Sequence, residues 1–527
     1  MSKVAATFTL VISVNRKSGR PLHRQIYDTF RCMIVAGSLS SGQQIPSTRT
    51  LASELGISRI PVLNAYGQLL AEGYFEARVG AGTFVCSSLP EQASHPEKSG
   101  KSRLPENLAR RRVARMAGML PRFERAPWAR HEGAFDLSQG ALDEFPHKVW
   151  ANLLARHCRN PNTSSLRYGD SLGLQRLREV IAIYLRTSRA VRCEPQQIMI
   201  VSGSQQAVDL STRVLLDPGS PVWMEEPGYW LARHVLIAAG CRIVPVPVDA
   251  EGLDVTAGIR RCRTARAAFV TPSHQFPLGV TMSASRRLRL LDWARSAGAW
   301  IIEDDYDSEY RYQSKPVASL QGLDEASRVI YIGTFSKVLF PSLRIGYLVV
   351  PPDLVDRFLS MRYAMDVNPP HLYQAVLADF IGEGHFSRHI RRMRTLYVER
   401  RTLLVDSLQR TFGSRLQILG DMAGMHLTVT LPNGLNDGEI ANRAARESLW
   451  LWPLSPSYIA KAAAQGFILG FGSTAPTEIR RAVEHLRAVL GPPENGSSTS
   501  KTEMPRTAHR APYFRRPRRL PRRSGLT

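Results

Sequence analysis

Apolar residues near the start of the chain recur at steps of three and four, a spacing that places them on one face of an α-helix. The pattern predicts a helix from Pro21 to Phe30, and then two amphipathic helices that flank a tight turn at Gly56. Ser47 and Ser58 stand where these two helices would begin, and serine is a preferred N-cap. The apolar positions of the pair are Leu51, Leu55, Val62, Ala65, Tyr66, Leu69 and Leu70.

A β-hairpin is predicted directly after these helices. The run YFEARVGAGTFV follows Gly73, and Gly80 and Gly82 supply the turn between its two strands. Three helices and a hairpin form a winged helix-turn-helix, whose second motif helix enters the major groove of DNA. We therefore predict an N-terminal α+β winged helix-turn-helix domain over residues 15–86.

In the next part of the chain, short β-branched runs alternate with helical segments. The runs are QIMIVS, PVWMEE, CRIVPVPV, AAFVTP, AWIIED, RVIYIGT and IGYLVV. This alternation predicts an α/β body with a mainly parallel sheet that helices cover on both faces. From about residue 353 the helices lengthen and few strands (LTVTL, FILGF) remain, so a smaller C-terminal α+β lobe is predicted. The whole body spans residues 134–490.

Two segments differ from these domains in composition. Residues 87–133 are rich in Ser, Pro, Glu, Lys and Arg without steady apolar periodicity, which predicts a flexible linker. Residues 491–527 are predicted to form a basic, disordered tail. The net charge is +24, and half of this excess lies in the two segments. A basic balance favours an anionic polymer as partner, although arginines that merely keep the tail solvated are an equal alternative.

The cysteines and the apolar runs exclude several classes of protein. The six cysteines are scattered, so neither a disulfide framework nor a metal site is indicated, and a reducing cytoplasm fits. The N-terminus does not read as a signal peptide. No uninterrupted apolar run reaches the ~18 residues of a membrane span. We expect a cytoplasmic protein without a membrane partner. The cysteines are Cys32, Cys86, Cys158, Cys193, Cys241 and Cys262.

The string GTFSKVLFPSLRIGY contains the most informative residue of the chain, Lys337. Asp304 and Tyr306 form an Asp-x-Tyr pair upstream of it, and Arg344 follows downstream. Pyridoxal 5′-phosphate needs a lysine amine, a carboxylate for its pyridinium nitrogen, a phenol near its ring oxygen and a guanidinium for its phosphate. The combination therefore predicts a site for this cofactor.

Two further features fit the same site. Gly203, Ser204 and Gln205 follow the strand IMIVS and open a helix, whose free N–H groups and dipole bind phosphate well. An ordinary capped turn is the alternative. Asp304 ends the strand AWIIED at the carboxyl edge of the sheet, where ligands bind in parallel α/β folds. Its acidic competitors are Asp305 and Asp307.

Both parts of the chain resemble known families. The stretch from IPSTRTLASELGISRIPVLNAYGQLLAEGY to GAGTFV resembles the DNA-binding domain of GntR-type bacterial regulators. The body resembles fold-type I aminotransferases through SGSQQAVDL, EEPGYW, TPSHQFPLGVTMS, IIEDDYDSEYRY and GTFSKVLFPSLRIGYLV. The whole architecture is similar to that of the MocR/PdxR-type subfamily of GntR regulators.

The resemblance implies a role for each matched residue of the body. Lys337 would carry pyridoxal 5′-phosphate as a Schiff base, Asp304 would meet the pyridinium nitrogen and Tyr306 the ring oxygen. Tyr229 would stack on the ring, and Tyr168 would reach the phosphate of the neighbouring subunit in a homodimer. The other implied cofactor contacts are Gly203, Ser204, Gln205, His274, Thr334, Ser336 and Arg344.

Two departures from the aminotransferase pattern weaken the case for efficient transamination. Phe276 stands where aminotransferases have an asparagine that contacts the ring oxygen, with His274 and Gln275 beside it. Near the C-terminus, where they have a carboxylate-binding arginine, this chain reads FILGFGS from Phe467. Another arginine, for example Arg362, is an alternative carboxylate ligand.

The DNA contacts are predicted at the start of each motif helix. Arg49 opens the first helix, and Ser58 and Arg59 open the second, where arginine side chains prefer guanine. Ile60 and Pro61 replace the commoner polar residue and threonine of the family, which implies a shifted DNA specificity. The contacts predicted for the wing are Arg78, Gly80, Gly82 and Thr83.

Three functions are compatible with these features. The first is a regulator that binds double-stranded operator DNA and senses a small amine, an amino acid or a vitamin B6 vitamer through its cofactor. The second is a working aminotransferase with an accessory DNA domain. The third is a DNA-binding protein whose body has lost the cofactor, and the joint presence of Lys337, Asp304 and Arg344 argues against it.

Overall fold

The computed structural model describes residues 12–87, 114, 116–120, 126–129, 133–137, 139–159, 166–312 and 318–491. The chain divides into two compact units, residues 1–112 and 113–527, and each is described by itself. Most of the linker predicted at 87–133 and all but the first residue of the tail predicted at 491–527 lie outside the described residues. The bounds of the four predicted segments, 15–86, 87–133, 134–490 and 491–527, stay predictions.

The N-terminal unit is a three-helix domain with a small antiparallel sheet of strand order β1-β3-β2. This confirms the predicted winged helix-turn-helix. The first helix continues beyond the predicted end at Phe30, and the additional strand β1 pairs with the hairpin. The elements are α1 (Leu22–Val35), β1 (Gln44–Ile45), α2 (Thr48–Glu54), α3 (Arg59–Ala71), β2 (Phe75–Arg78) and β3 (Gly82–Val85).

Capping and aromatic packing hold this unit together. The Ser47 hydroxyl accepts a hydrogen bond from a backbone N–H in the first turn of α2, as the N-cap prediction requires. Ser58 stands at the predicted N-cap of α3, but its side chain makes no capping hydrogen bond. Gly56 adopts the positive φ of +61° that the turn requires. The core centres on an edge-to-face trio, Phe30, Tyr66 and Phe75.

The second unit is built on an eight-stranded sheet of order β4-β11-β10-β9-β8-β5-β6-β7. Strands β6, β5, β8, β9 and β10 run parallel to one another, whereas β7 is antiparallel to β6, and β11 is antiparallel to both β10 and β4. The prediction of a mainly parallel sheet is confirmed. The strands are β4 (Ile198–Val201), β5 (Pro221–Glu226), β6 (Arg242–Asp249), β7 (Gly252–Leu253), β8 (Ala267–Val270), β9 (Trp300–Asp305), β10 (Val329–Thr334) and β11 (Gly346–Val349).

Helices surround this sheet. Two hydrophobic clusters contain buried side chains of its strands together with those of the helices packed against them. Strands β4, β8 and β10 are almost entirely apolar and are buried along their whole length because both faces of the sheet are covered, whereas β5 and β9 end in acidic residues. The helices of this part are α4 (His147–Arg159), α5 (Gln175–Arg189), α6 (Ser204–Leu215), α7 (Trp230–Ala238), α8 (Val255–Arg261), α9 (Ala284–Ala297), α10 (Leu320–Leu323), α11 (Val355–Asp366) and α12 (His371–Gly382).

The C-terminal lobe combines a four-stranded antiparallel sheet of order β12-β13-β15-β14 with three helices, as predicted. Helix α13 is the longest of the described helices, with 28 residues. Among the described residues, no helix is both long enough and apolar enough to span a bilayer. The elements are α13 (His385–Phe412), β12 (Gln417–Leu419), β13 (His426–Thr430), α14 (Asp437–Arg446), β14 (Trp452–Pro453), β15 (Gly466–Gly470) and α15 (Pro476–Leu490).

Candidate functional site

The carboxyl ends of the parallel strands bring the predicted cofactor residues to one edge of the sheet. Asp304 and Thr334 lie at the ends of the neighbouring strands β9 and β10, and Lys337 follows β10 in a turn. Gly203 links β4 to the start of α6. This is the edge at which ligands bind in parallel α/β folds.

The Lys337 amine is held inside the site. Its Nζ donates a hydrogen bond to the backbone oxygen of Leu137 over 2.9 Å. Burial lowers the Lys337 pKa from its usual value, while the carboxylates of Asp307, Asp136 and Asp304 act in the opposite direction. A lysine with a lowered pKa is more often neutral at physiological pH, and only a neutral amine can attack a carbonyl carbon.

Asp304 offers a buried hydrogen-bond acceptor. The residue is 3% exposed, and its Oδ1 has no hydrogen-bond partner among the described residues. Burial raises the Asp304 pKa to about 7, with smaller contributions from Asp305, Asp307 and Glu225. A buried, unpartnered carboxylate oxygen is costly, and a pyridinium N–H is a donor that would satisfy it. This orphaned atom is the observation in favour of a fit to the cofactor ring.

The two competing carboxylates already have a guanidinium or an imidazole as partner, although Oδ1 of Asp305, like that of Asp304, has no hydrogen-bond partner among the described residues. Asp305 forms a buried salt bridge with Arg189 over 2.6 Å and accepts a hydrogen bond from the Tyr331 hydroxyl over 2.5 Å. Asp307 contacts Nδ1 of His274 over 3.1 Å. The hydrogen bonds therefore favour Asp304 among the three acids of this loop.

A candidate phosphate cradle lies between the start of α6 and the segment after β10. Gly203 has a φ of +100°, and a Cβ built on it would lie 3.2 Å from both terminal nitrogens of Arg344. Only glycine therefore lets the guanidinium lie against this backbone. Ser336 has a buried Oγ without a partner among the described residues, and its N–H donates to the Thr334 hydroxyl. The first N–H groups of α6, from Ser204 on, complete a set of donors suited to phosphate.

Gln205 was predicted to offer a backbone N–H at the start of α6, which stays a prediction, and its side chain is engaged with a neighbouring helix. Its side-chain amide donates to the backbone oxygen of Leu231 on α7 over 3.3 Å, so the side chain faces a helix. Its contribution to the cradle is therefore limited to the backbone N–H. The resemblance identifies the position in the motif, but the direction of a side chain depends on the packing of α7.

Tyr306 and His274 form one hydrogen-bonded unit. The Tyr306 hydroxyl donates to the His274 backbone oxygen over 2.9 Å and lies 3.2 Å from Nδ1 of the same residue. The His274 ring packs on Gly424, where an added Cβ would lie 2.1 Å from it, and its centroid is 4.6 Å from that of His426. His274 is therefore in a position to orient Tyr306, and because its Nε2 is buried without a partner among the described residues, the direct cofactor contact predicted for it stays a prediction.

Sequence reasoning missed two buried ionisable groups at this edge. Glu225 ends β5, accepts a hydrogen bond from the Thr271 hydroxyl over 2.7 Å, and has a pKa raised to about 7 by burial. The pKa of His426 on β13 lies well below its usual value because of burial, with further lowering by His274 and Lys337. An acid at the end of PVWMEE was a usable signal for Glu225, whereas His426 comes from the distant C-terminal lobe.

Next to these groups lies a set of apolar and aromatic side chains, which we call the aromatic wall. Three of its members are buried, and the others keep partial exposure. Tyr229 lies edge-on to Phe276 at 5.5 Å, and Trp230 stacks on Trp452 at 5.5 Å. Trp128 contacts Trp452 in turn at 5.3 Å. The wall consists of Phe276, Leu454 and Ile468, with Leu137, Tyr229, Trp230, Leu278, Tyr306, Trp452, Tyr458 and Ala464 packed against them.

The two departures from the aminotransferase pattern have structural counterparts in and beside this wall. Phe276 is part of it, and β15 contributes Ile468, which pairs with Thr428 on one side and Trp452 on the other. Arg362 is fully buried, donates to the Ile200 backbone oxygen over 3.1 Å and pairs with the carboxylate of its helix neighbour on α11. These contacts tie Arg362 to β4 and to its own helix, while its Nη2 is buried without a hydrogen-bond partner among the described residues, so the suggestion that it binds a carboxylate stays a prediction.

Tyr168 is 87% exposed in the single chain, the highest value among the exposed aromatic residues that the structure describes. A tyrosine side chain that contacts the cofactor of a second subunit must extend away from the site of its own subunit. The exposure is compatible with that role, and the role stays a prediction.

In the N-terminal unit, the start of α3 forms an exposed surface. Arg59 is exposed, and its Nε donates to the Thr48 hydroxyl over 3.0 Å, while Arg49 is exposed on α2. Ile60 and Leu63 are 67% and 44% exposed on α3. Exposed aliphatic side chains on such a helix suit the methyl groups of thymine. The sequence singled out Ile60 but not Leu63, because its apolar character fits a core position equally well.

The wing is partly committed to internal contacts. Arg78 pairs with Glu76 and lies over the Phe84 ring at 4.6 Å. Gly80 and Gly82 adopt positive φ values of +76° and +108°, as a tight turn requires. Thr83 pairs with Ile45 and Ala77 within the sheet. The wing arginine is therefore pre-oriented by its acid and its ring.

Family comparisons agree with both parts of the structure. Residues 22–85 match the model for bacterial regulatory proteins of the gntR family, and residues 132–462 match that for aminotransferase class I and II. The chain is 41% identical over 480 residues to the protein named probable rhizopine catabolism regulatory protein MocR of Rhizobium meliloti, covering 91% of this chain and 96% of that one. It is 31% identical over 466 residues to the pyridoxine biosynthesis transcriptional regulator PdxR of Corynebacterium glutamicum, covering 88% and 95%.

Solved structures resemble the body. Kynurenine aminotransferase of Pyrococcus horikoshii, in complex with PMP, superposes with a TM-score of 0.63 at 28% identity over 67% of this chain and 89% of that one. LysN of Thermus thermophilus, complexed with N-(5′-phosphopyridoxyl)-L-leucine, gives 0.66 at 28% identity over 72% and 97%. The aminotransferase fold implies pyridoxal phosphate binding. With a GntR domain before it and these relatives, the chain belongs to the MocR-type subfamily of GntR transcriptional regulators.

Proposed function

We propose that this regulator uses pyridoxal 5′-phosphate to sense a small amine, and that the signal changes its binding to operator DNA. The observation that carries the proposal is the buried, unpartnered Oδ1 of Asp304, which lies in the same site as the low-pKa amine of Lys337. When bound, the cofactor supplies an aldehyde carbon that condenses reversibly with amines. A chain that contains both this site and a DNA-binding domain can make transcription depend on the concentration of an amine.

Each residue has a separate task in this proposal. Lys337 holds the cofactor covalently, and Asp304 keeps the ring nitrogen protonated. Arg344 and the donors at the start of α6 hold the phosphate, to which Thr334 and Ser336 add hydroxyls. Tyr306, oriented by His274, meets the ring oxygen. Tyr229 packs on the ring, and we propose that Tyr168 reaches the phosphate of a second subunit in a homodimer.

A working aminotransferase with an accessory DNA domain is the second candidate. The nearly complete cofactor site and the aminotransferase fold favour it. The apolar Ile468 in β15 and the contacts of Arg362 with β4 and its own helix argue for sensing, because steady turnover of amino acids needs a group that binds their carboxylate.

The test of sensing is thermodynamic linkage. Full-length protein loaded with cofactor is titrated with candidate amines, with and without the DNA that flanks its gene, while the visible absorbance of the cofactor is followed. An amine that alters DNA affinity must have its own affinity altered by the same factor, equivalent to about 1–3 kcal/mol. Rapid repeated turnover, together with identical titrations in the two conditions, would instead identify an enzyme.

We expect cofactor affinity to rise with pH through about 7, the Asp304 pKa. A protonated Asp304 must first lose its proton before it can pair with a pyridinium, so binding is penalised below that pKa and the penalty disappears above it. Replacing Asp304 with asparagine should weaken binding by about 1.5–3 kcal/mol, the value of a hydrogen bond to a charged group.

The measurement is a titration with pyridoxal 5′-phosphate at several values between about pH 6 and about pH 8, across the pKa of a buried carboxyl. The Asp304→Asn protein keeps the contribution of Lys337, whose neutral fraction also rises with pH, but loses that of the carboxyl. Its slope should be shallower. Equal slopes in the two proteins would contradict the assignment of Asp304.

A further inference from the structure

We propose that the effector is a primary amine with an aromatic or other apolar body and no carboxylate. This inference deepens the proposed function and rests on it, because it names the chemistry of the amine that the same site accepts. It is carried by two observations: the composition of the aromatic wall and the sign of the charges around Lys337.

The wall adjoins the residues proposed to hold the cofactor. Tyr306 and Tyr229 belong to it, and so does Leu137, whose backbone oxygen accepts the hydrogen bond from Lys337. Several of its rings are only partly buried and so keep surface for another molecule. An apolar body placed there would gain free energy from the area it removes from water. Aromatic faces also attract an ammonium group.

The charged groups around the amine are acidic. The carboxylates of Asp307, Asp136 and Asp304 all act on Lys337 and favour a cation at that place. Glu225 acts on Asp304 from the end of β5. A field of this sign attracts a protonated amine and repels a carboxylate.

Two arginines near the wall, Arg233 and Arg344, already contact other groups. Arg233 donates to the backbone oxygens of Tyr458 over 3.0 Å and Pro456 over 3.2 Å. Arg344 lies against Gly203 in the candidate phosphate cradle.

Ile468 is the member of the wall that β15 contributes. It is fully buried, packs with Phe276 and Leu454, and pairs with Thr428 and Trp452 in the lobe sheet. A carboxylate brought against the partly exposed rings of the wall would lose water without gaining a cation to pair with, which is costly. An amine that lacks the carboxylate avoids that cost. The same rings would accept a methylene chain or another ring.

A matched set of amines tests the proposal on the full-length, cofactor-loaded protein. Phenethylamine and L-phenylalanine differ only by one carboxylate, and ethanolamine is an amine without an apolar body. The visible absorbance of the cofactor reports recognition, and the affinity for the DNA that flanks the gene reports sensing. We expect half-saturation by phenethylamine at a concentration about tenfold or more below that of either other compound, the range set by small changes of ligand structure in a pocket.

Two variants sharpen the result. Ile468→Arg places a guanidinium at the wall and should shift the preference toward L-phenylalanine, whereas Ile468→Leu keeps the apolar surface and should retain the preference for phenethylamine. Thermal melting checks that both variants fold, and the comparison of amines on the unaltered protein does not depend on them.

Equal or tighter binding of L-phenylalanine or of ethanolamine to the unaltered protein would overturn the inference and leave the sensor proposal standing. An absorbance response that prefers phenethylamine, without any change in DNA affinity, would uphold the inference about the site and contradict the sensor proposal.

Discussion

Replacing Lys337 with alanine should abolish covalent attachment of the cofactor. The unaltered protein should be yellow, and borohydride should fix the cofactor to Lys337, because this half-buried amine has a lowered pKa and lies within the site. The variant should show neither the colour nor a trapped adduct. Peptide mass spectrometry after reduction identifies the modified residue.

Lys461→Ala is the matched control, since this lysine is exposed in the C-terminal lobe and its loss should change nothing. We also expect the Lys337→Ala protein to keep its basal DNA affinity while it no longer responds to amines. A borohydride-trapped adduct on another lysine of the variant would refute the assignment of Lys337.

Replacing Arg59 with alanine should weaken operator binding by about 1–3 kcal/mol and relax the preference at one base position. The residue is exposed at the start of α3, and its Nε bond to the Thr48 hydroxyl holds the side chain close to α2. A guanidinium that reads guanine through two parallel bonds loses this readout completely when truncated. Binding to a set of single-base operator variants measures both effects.

Arg59→Lys separates charge from readout. Lysine keeps the positive charge but lacks the planar fork that makes two parallel hydrogen bonds. The lysine variant should therefore keep much of the salt-dependent affinity and lose the base preference. If Arg59→Ala binds with unchanged affinity and preference, α3 does not dock through this residue.

The sequence predicted the architecture well because its signals are local. The alternation of β-branched runs with helical segments identified seven of the eight strands of the large sheet, all except the two-residue β7, and strands such as β4 and β10 are buried throughout because both faces of the sheet are covered. The run FILGF likewise became β15. Strand β1, with only Gln44 and Ile45, was missed because two residues carry no period.

The site could be predicted only as far as residue types and spacing decide it. Asp304 and Asp305 are adjacent and chemically identical, and what separates them is Arg189, more than a hundred positions earlier in the chain. The same applies to His274, whose ring packs against Gly424 of the distant lobe. Such contacts depend on tertiary packing, which a local pattern does not contain.

The aromatic wall also has an optical consequence. Trp230 and Trp452 stack on each other within it, and Trp128 contacts Trp452. Indole emission reaches the wavelengths at which a lysine-bound pyridoxal group absorbs, so these tryptophans would transfer energy to a cofactor bound next to the wall. A fall in the tryptophan fluorescence of the protein should therefore report cofactor occupancy without any added label.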